Sequence, residues 1–148
     1  MQKNSSRQRD LYYVAVKAFL EKDGKLFIFR DKYGDWDLPG GRIKRYEFKK
    51  PLEQVLKRKM DEELGRSISY KLGSPVVFMR HERMEHDTNS TVRIFAIGYL
   101  ATLVRGNIRL SDMHTESAWI PIKSFDPKHY FTGGWLKGVQ EYLKLRRK

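Results

Sequence analysis

The stretch Gly41-Arg-Ile-Lys-Arg-Tyr-Glu47, followed after a ten-residue spacer by Arg58-Lys-Met-Asp-Glu-Glu-Leu-Gly65, decides how this chain reads. A glycine turn leads to a carboxylate, and an arginine then opens a run that ends in two glutamates and a glycine. Drawn at roughly 100° per residue, a helix beginning near Pro51 places Leu52, Val55, Leu56, Met60 and Leu64 on one face. Glu63 falls inside that apolar face with Lys59 beside it, while Glu62 and Arg58 run along one flank. A carboxylate on a core-facing stripe is costly unless a cation meets it. A positive charge is therefore expected at Glu63, and a divalent metal is one candidate.

The segment resembles the signature box of the Nudix (MutT-type) pyrophosphohydrolases, G-x5-E-x7-R-E-U-x-E-E-x-G-U with U a bulky aliphatic residue. Gly41 and Glu47 match the first spacing; Arg58, Met60, Glu62, Glu63 and Gly65 match the second half. The lead-in Trp36-Asp-Leu-Pro-Gly-Gly41 is also typical of that family. Three positions depart from it. The spacer from Glu47 to Arg58 holds ten residues instead of seven, Lys59 stands where a glutamate is expected, and Arg66 stands where an aliphatic residue is expected.

The resemblance implies an α/β/α sandwich with a central mixed sheet, one mid-chain helix carrying the box and a C-terminal helix. It implies Mg²⁺ or Mn²⁺ held by Glu62 and Glu63, with a Gly40 or Gly41 carbonyl joining them, and a pair, Glu47 and Arg58, tying the glycine loop to the helix. Glu62, Arg58 and the late glutamate Glu116 are the expected catalytic residues, Glu116 as a further ligand or general base. Magnesium suits such a site because it prefers hard oxygen ligands, and a phosphoanhydride needs its charge neutralised before water attacks. The GDP-mannose hydrolase-like branch also lacks the standard glutamate at the Lys59 position. That shared feature puts nucleotide sugars first among nucleoside diphosphate derivatives as substrates. A catalytically weak module of the same fold, binding nucleotide or RNA, is the alternative that Lys59 raises.

The rest of the chain is consistent with one domain. Its 148 residues suffice for one core, and 40% hydrophobic with 13% aromatic residues marks a globular chain. With no cysteine, disulfides and thiolate chemistry are excluded. No apolar run reaches membrane-spanning length and the polar start is no signal peptide, so a cytoplasmic setting is expected. Residues 1–10 read as a flexible terminus and 11–148 as the domain. A formal net charge of +12 favours phosphorylated partners: a small molecule first, nucleic acid second. The basic terminus Lys144, Arg146, Arg147 and Lys148 gives part of that charge a bland explanation. The oligomeric state is left open, and a homodimer is compatible with the sequence.

Strands are expected at 11–20, 26–30, 36–38, 67–72, 76–85, 91–104, 108–110 and 117–122, with a last helix at 135–145. Alternation along 76–85 sends Arg80 and Glu82 to one face and His81 and Arg83 to the other. Arg80 and Arg83 are the candidate phosphate ligands, since a guanidinium grips phosphate in bidentate fashion. His114, two residues before Glu116, reads as a plain loop histidine. Tyr12, Tyr13 and Phe131 are candidates for base stacking, although aromatic residues on strands more often pack in a core.

Overall fold

The computed structural model describes residues 8–148. Most of the expected flexible terminus lies outside them. In chain order the elements are β1 (Tyr13–Lys22), β2 (Lys25–Asp31), β3 (Trp36–Asp37), β4 (Gly40–Arg42), α1 (Leu52–Leu64), β5 (Ser69–Met84), β6 (Thr91–Arg105), β7 (His114–Pro121) and α2 (Gly133–Arg146). Among the described residues no helix is long and apolar enough to cross a membrane.

β1 is the axis of a mixed sheet. It runs parallel to β6 along one edge and antiparallel to β4 and then β2 along the other. β5 pairs with the far side of β6, while β2 also carries β3 and β7. From Ala15 to Leu20 every residue of β1 is buried, as expected of a strand covered on both faces. Its alternation sorts the two cores. Val16, Ala18 and Leu20 join Phe27, Phe29 and the α1 residues Val55, Leu56, Met60 and Leu64. Ala15 and Phe19 join Leu26, Ile28 and the α2 residues Trp135, Val139, Tyr142 and Leu143. Phe19 stacks on Tyr142 with ring centroids 4.3 Å apart. The result is the α/β/α sandwich, with α1 on one face of the sheet and α2 on the other.

Several expected boundaries move. The two strands expected at 67–72 and 76–85 form one strand, β5, because the long β6 pairs with it throughout. Register shifts between Leu72 and Val77 absorb Pro75, which lacks an N–H to donate. Residues 108–110 form no strand, and Gly40–Arg42 adds a short one that pairs with Ala15–Lys17. β7 starts at His114, so Glu116 lies in a strand and not in a loop. The terminal basic cluster is partly structural. Arg146 grips Glu21 through two hydrogen bonds of 2.8 Å. Arg147 donates to the carbonyls of Ile122 and Phe125.

His81 ties the sheet to α2. Its Nδ1 accepts from the backbone N–H groups of Gly134 (3.1 Å) and Trp135 (3.3 Å), satisfying orphan donors of the helix start. Its ring stacks on Trp135. Burial, opposed by Asp37 and assisted by Arg83 and Lys17, pushes the imidazole down from 6.5 to about 4. The unfolded chain therefore binds a proton before the folded one does. Stability supplied by neutral His81 is complete above pH 6.5 and is lost as pH falls toward 4. After discounting for partial exposure, about 2 kcal/mol is at stake. Glu63 titrates in the opposite sense over an overlapping window, so the wild type must be compared with His81→Asn. The wild type is expected to lose more stability between pH 6.5 and 4, and parallel pH profiles would refute the cap.

Candidate active site

The site grows from the C-terminal half of α1. Arg58 reaches back across the spacer to Glu47, which is only 1% exposed. Arg58 Nε lies 2.7 Å from Glu47 Oε2 and Nη2 lies 2.8 Å from Oε1. The same Nη2 donates to the Arg42 carbonyl at 3.1 Å, and the Lys44 N–H donates to Glu47 at 2.9 Å. Residues Arg45–Glu47 form a 3-10 turn and α1 starts only at Leu52, so Phe48 to Pro51 bulge outward. The longer spacer is thus spent on a loop, and the helix keeps its phase. The Arg58 guanidinium holds the Glu47 carboxyl well down, at about 2.

Gly40 and Gly41 bring the backbone against this helix. Gly40 has φ +133, and a side chain there would meet the Val16 carbonyl at 2.0 Å. Only glycine is accommodated. Its N–H donates to Glu63 Oε1 at 2.8 Å. At Gly41 a Cβ would lie 2.5 Å from Lys59 Cε, because the lysine stem crosses the strand at that point.

Glu63 is buried on the inward face. Its other oxygen lies 3.9 Å from Lys59 Nζ and 3.8 Å from His114 Nε2. Burial pushes its carboxyl up to about 7, outweighing the nearby charges of Lys17 and Lys59 and the Gly40 N–H. Glu62 is exposed; it accepts from Arg58 at 3.1 Å, and Lys59 Nζ stands 3.4 Å away. Lys59 therefore bridges both box carboxylates. A second internal ammonium lies on the floor. Lys17 Nζ sits 3.0 Å from both oxygens of Asp37, 3.2 Å from the Leu38 carbonyl and over the Trp135 ring.

Of these groups, Lys17, Asp37, Gly40, Gly41, Arg42, Lys44, Arg58 and Lys59 line a cavity of about 460 Å³. Its lining carries the cations Lys17, Arg42, Lys44, Arg58, Lys59 and Arg83 against the anions Asp37, Glu85 and Asp87. Tyr33 and His86, from two different turns, stack at 3.8 Å and both line it.

The expected site residues divide. Glu47, Arg58, Glu62, Glu63 and Gly41 come together around the box helix, and Arg83 lines the cavity with Arg58 and Gly41. Arg80 does not: it lines a separate cavity with Tyr12, Phe78 and Lys137, because strand alternation turns it to the other side from Arg83. Glu116 does not either. It pairs with Arg30 at 3.1 Å on the exposed part of β7, opposite Arg30 in the β2 register. His114 is the β7 residue that meets the box, stacked on Phe29 at 3.7 Å. Of the aromatic candidates, Phe131 is buried in the core, and Tyr13 instead carries the Arg42 guanidinium over its ring. Sequence reading missed Lys17, Tyr33 and His86. A lone lysine inside the apolar run Val14–Leu20 was the available signal for the first.

No protein-family profile and no curated protein matches this chain. Solved structures do. A MutT protein from Methanosarcina mazei aligns with TM-score 0.72 and 21% identity, covering 94% of this chain and 97% of its own. A MutT Nudix hydrolase from Burkholderia pseudomallei aligns with TM-score 0.65 and 22% identity, covering 89% and 98%. An ADP-ribose pyrophosphatase from Streptococcus suis aligns with TM-score 0.65 and 16% identity, covering 93% and 94%. At these identities the likeness is one of fold. The architecture is the Nudix fold, and the box segment occupies the loop and helix described above.

That fold implies a divalent cation, and the donor set fits one in a single form. Among the described residues no three His, Asp or Glu side chains converge as a protein-only metal cage requires. Magnesium is usually held by one or two carboxylates together with substrate phosphates. Glu62 and Glu63 are two such carboxylates, consecutive on α1; neither lines the cavity itself, but Lys59, which does, reaches both. Two adjacent carboxylates fit a cation that a bound phosphate also ligates.

Proposed function

We propose that this chain is a hydrolase of a nucleoside diphosphate linked to a second moiety, with nucleotide sugars the favoured class and Mg²⁺ or Mn²⁺ as cofactor. The observation that supports this reading is the cationic cavity framed by the glycine strand and the box helix. A pyrophosphate entering it meets Arg42, Lys44 and Arg83, and guanidinium groups match phosphate oxygens in pairs. The Tyr33–His86 stack offers a flat surface on which a base is held. The Glu47–Arg58 clamp fixes the Gly40–Arg42 backbone beside the two carboxylates, so the reacting group has one rigid wall. Glu62 and Glu63 would hold the cation, which supplies charge neutralisation and an activated water. A cytoplasmic setting, where such nucleotides are found, belongs to the same proposal.

The position of Lys59 favours a second reading, a catalytically weak module that binds nucleotide or RNA. One panel separates the two. Nucleotide sugars, dinucleoside-type diphosphates and nucleoside triphosphates are assayed with Mg²⁺ and Mn²⁺ for release of a nucleoside monophosphate. Turnover of a diphosphate derivative that stops on chelation is the expected outcome. No turnover on any compound, combined with RNA binding that falls steeply with salt, would replace this reading by the second.

A further inference from the structure

We infer that Lys59 is a resident counter-ion of the box carboxylates which an incoming diphosphate draws away, so that a divalent cation binds with the anionic ligand and not before it. This deepens the hydrolase reading and rests on it. Three observations carry it. First, every outward oxygen of the pair is already engaged: Glu62 by Arg58 and Lys59, Glu63 by the Gly40 N–H, with Lys59 and His114 near its second oxygen. A cation approaching the free protein therefore meets an ammonium in its place. Second, the lysine reaches these oxygens by lying across Gly41, a passage that any Cβ would block. Third, Lys59 also lines the cationic cavity, and its side chain is partly exposed.

The exchange is physically easy. Its contact with Glu62 is a partly exposed ion pair, the weak kind. A lysine ammonium is a point charge on a flexible stem and can be re-aimed without moving the backbone. A diphosphate in the same cavity brings more negative charge than the carboxylate it replaces. Once the ammonium turns to the phosphates, Glu62 and Glu63 are left without it, and their affinity for a cation rises. Linkage then requires the converse: the cation strengthens binding of the diphosphate by the same factor.

The test follows protein-bound Mn²⁺ by water-proton relaxation, with and without methylenediphosphonate as a non-hydrolysable diphosphate. The proteins are the wild type, Lys59→Met, Lys59→Gln and the control Lys57→Met. Lys57 lies on the same helix, paired with Asp61 and largely exposed, so its loss removes equal charge without vacating the box. Without the diphosphonate, both Lys59 variants are expected to bind Mn²⁺ at least tenfold more tightly than the wild type, and Lys57→Met within threefold of it. In the wild type the diphosphonate is expected to tighten Mn²⁺ at least tenfold, with a smaller effect in the Lys59 variants. If the wild type alone binds Mn²⁺ as tightly as both variants, the inference is overturned and the hydrolase reading stands. If no protein binds Mn²⁺ even with diphosphonate, both fall.

Discussion

Replacing Glu47 with alanine is expected to cost about 3–5 kcal/mol of folding stability, a large share of the roughly 5–15 available to a domain of this size. The reason is what the substitution leaves behind. Arg58 would keep its charge while losing both charge-assisted bonds to Glu47. The Lys44 N–H would lose its acceptor as well. Breaking a buried pair costs more than the pair is worth, because one partner stays desolvated. Arg58→Ala should cost a similar amount, and the double variant less than the sum of the two. The dependence on acid follows from the same geometry. The folded carboxyl sits near 2 against an ordinary 4.5, so its contribution is complete above pH 4.5 and disappears as pH falls toward 2. Urea unfolding of the three variants at pH 7 measures the cost. A loss below 1 kcal/mol for Glu47→Ala would remove the clamp from this account of the site.

The helix was legible in sequence because its face is a local pattern, whereas the clamp came only from the resemblance of the box. A 3.6-residue period placed Leu52, Val55, Leu56, Met60 and Leu64 inward; the structure buries the last four and leaves Leu52 partly buried. The same period put Glu63 on the inward face, where it is found. What sequence could not supply was the meeting of distant strands. Lys17 and Asp37 lie twenty residues apart and join only because β2 pairs with both β1 and β3. His114 reaches Glu63 because β7 adds to β2, a pairing that no spacing announces. Glu116 attracted attention from its place before a tryptophan strand. The register nevertheless sets it opposite Arg30, and an exposed ion pair results. Arg80 and Arg83 illustrate the other limit. Alternation correctly separates their faces, but only the assembled sandwich says which face meets the box cavity.

His81 shows how partners decide what a polar strand residue does. On a strand beside Arg80 and Arg83 it invites a role in phosphate binding. Its Nδ1 is instead occupied by the first N–H groups of α2, and its ring by Trp135. The helix start is thereby satisfied from outside the helix. This matters because Thr132, at the N-cap, makes no side-chain cap of its own. A residue that resembles a ligand group is here part of the frame.

Glu63→Gln is expected to lower cation-dependent turnover at least a hundredfold while leaving the fold intact or more stable. The amide oxygen can still accept from the Gly40 N–H, so the glycine strand keeps its seat against α1. The negative charge is lost, and with it the better-buried of the two carboxylates proposed to hold the cation. Stability should move the other way. Desolvation raises the Glu63 carboxyl to about 7, so the wild type loses stability as pH rises from 4.5 through that value. A neutral glutamine carries no such penalty. The variant should therefore gain on the wild type with increasing pH, by on the order of 2–3 kcal/mol at pH 8. Turnover assays with Mg²⁺ and thermal unfolding at pH 5 and pH 8 read the two effects separately. Activity within tenfold of wild type would end the assignment of Glu63 to the cation. An unchanged stability difference between the two pH values would instead show that its buried charge is fully met by Lys17, Lys59 and the Gly40 N–H.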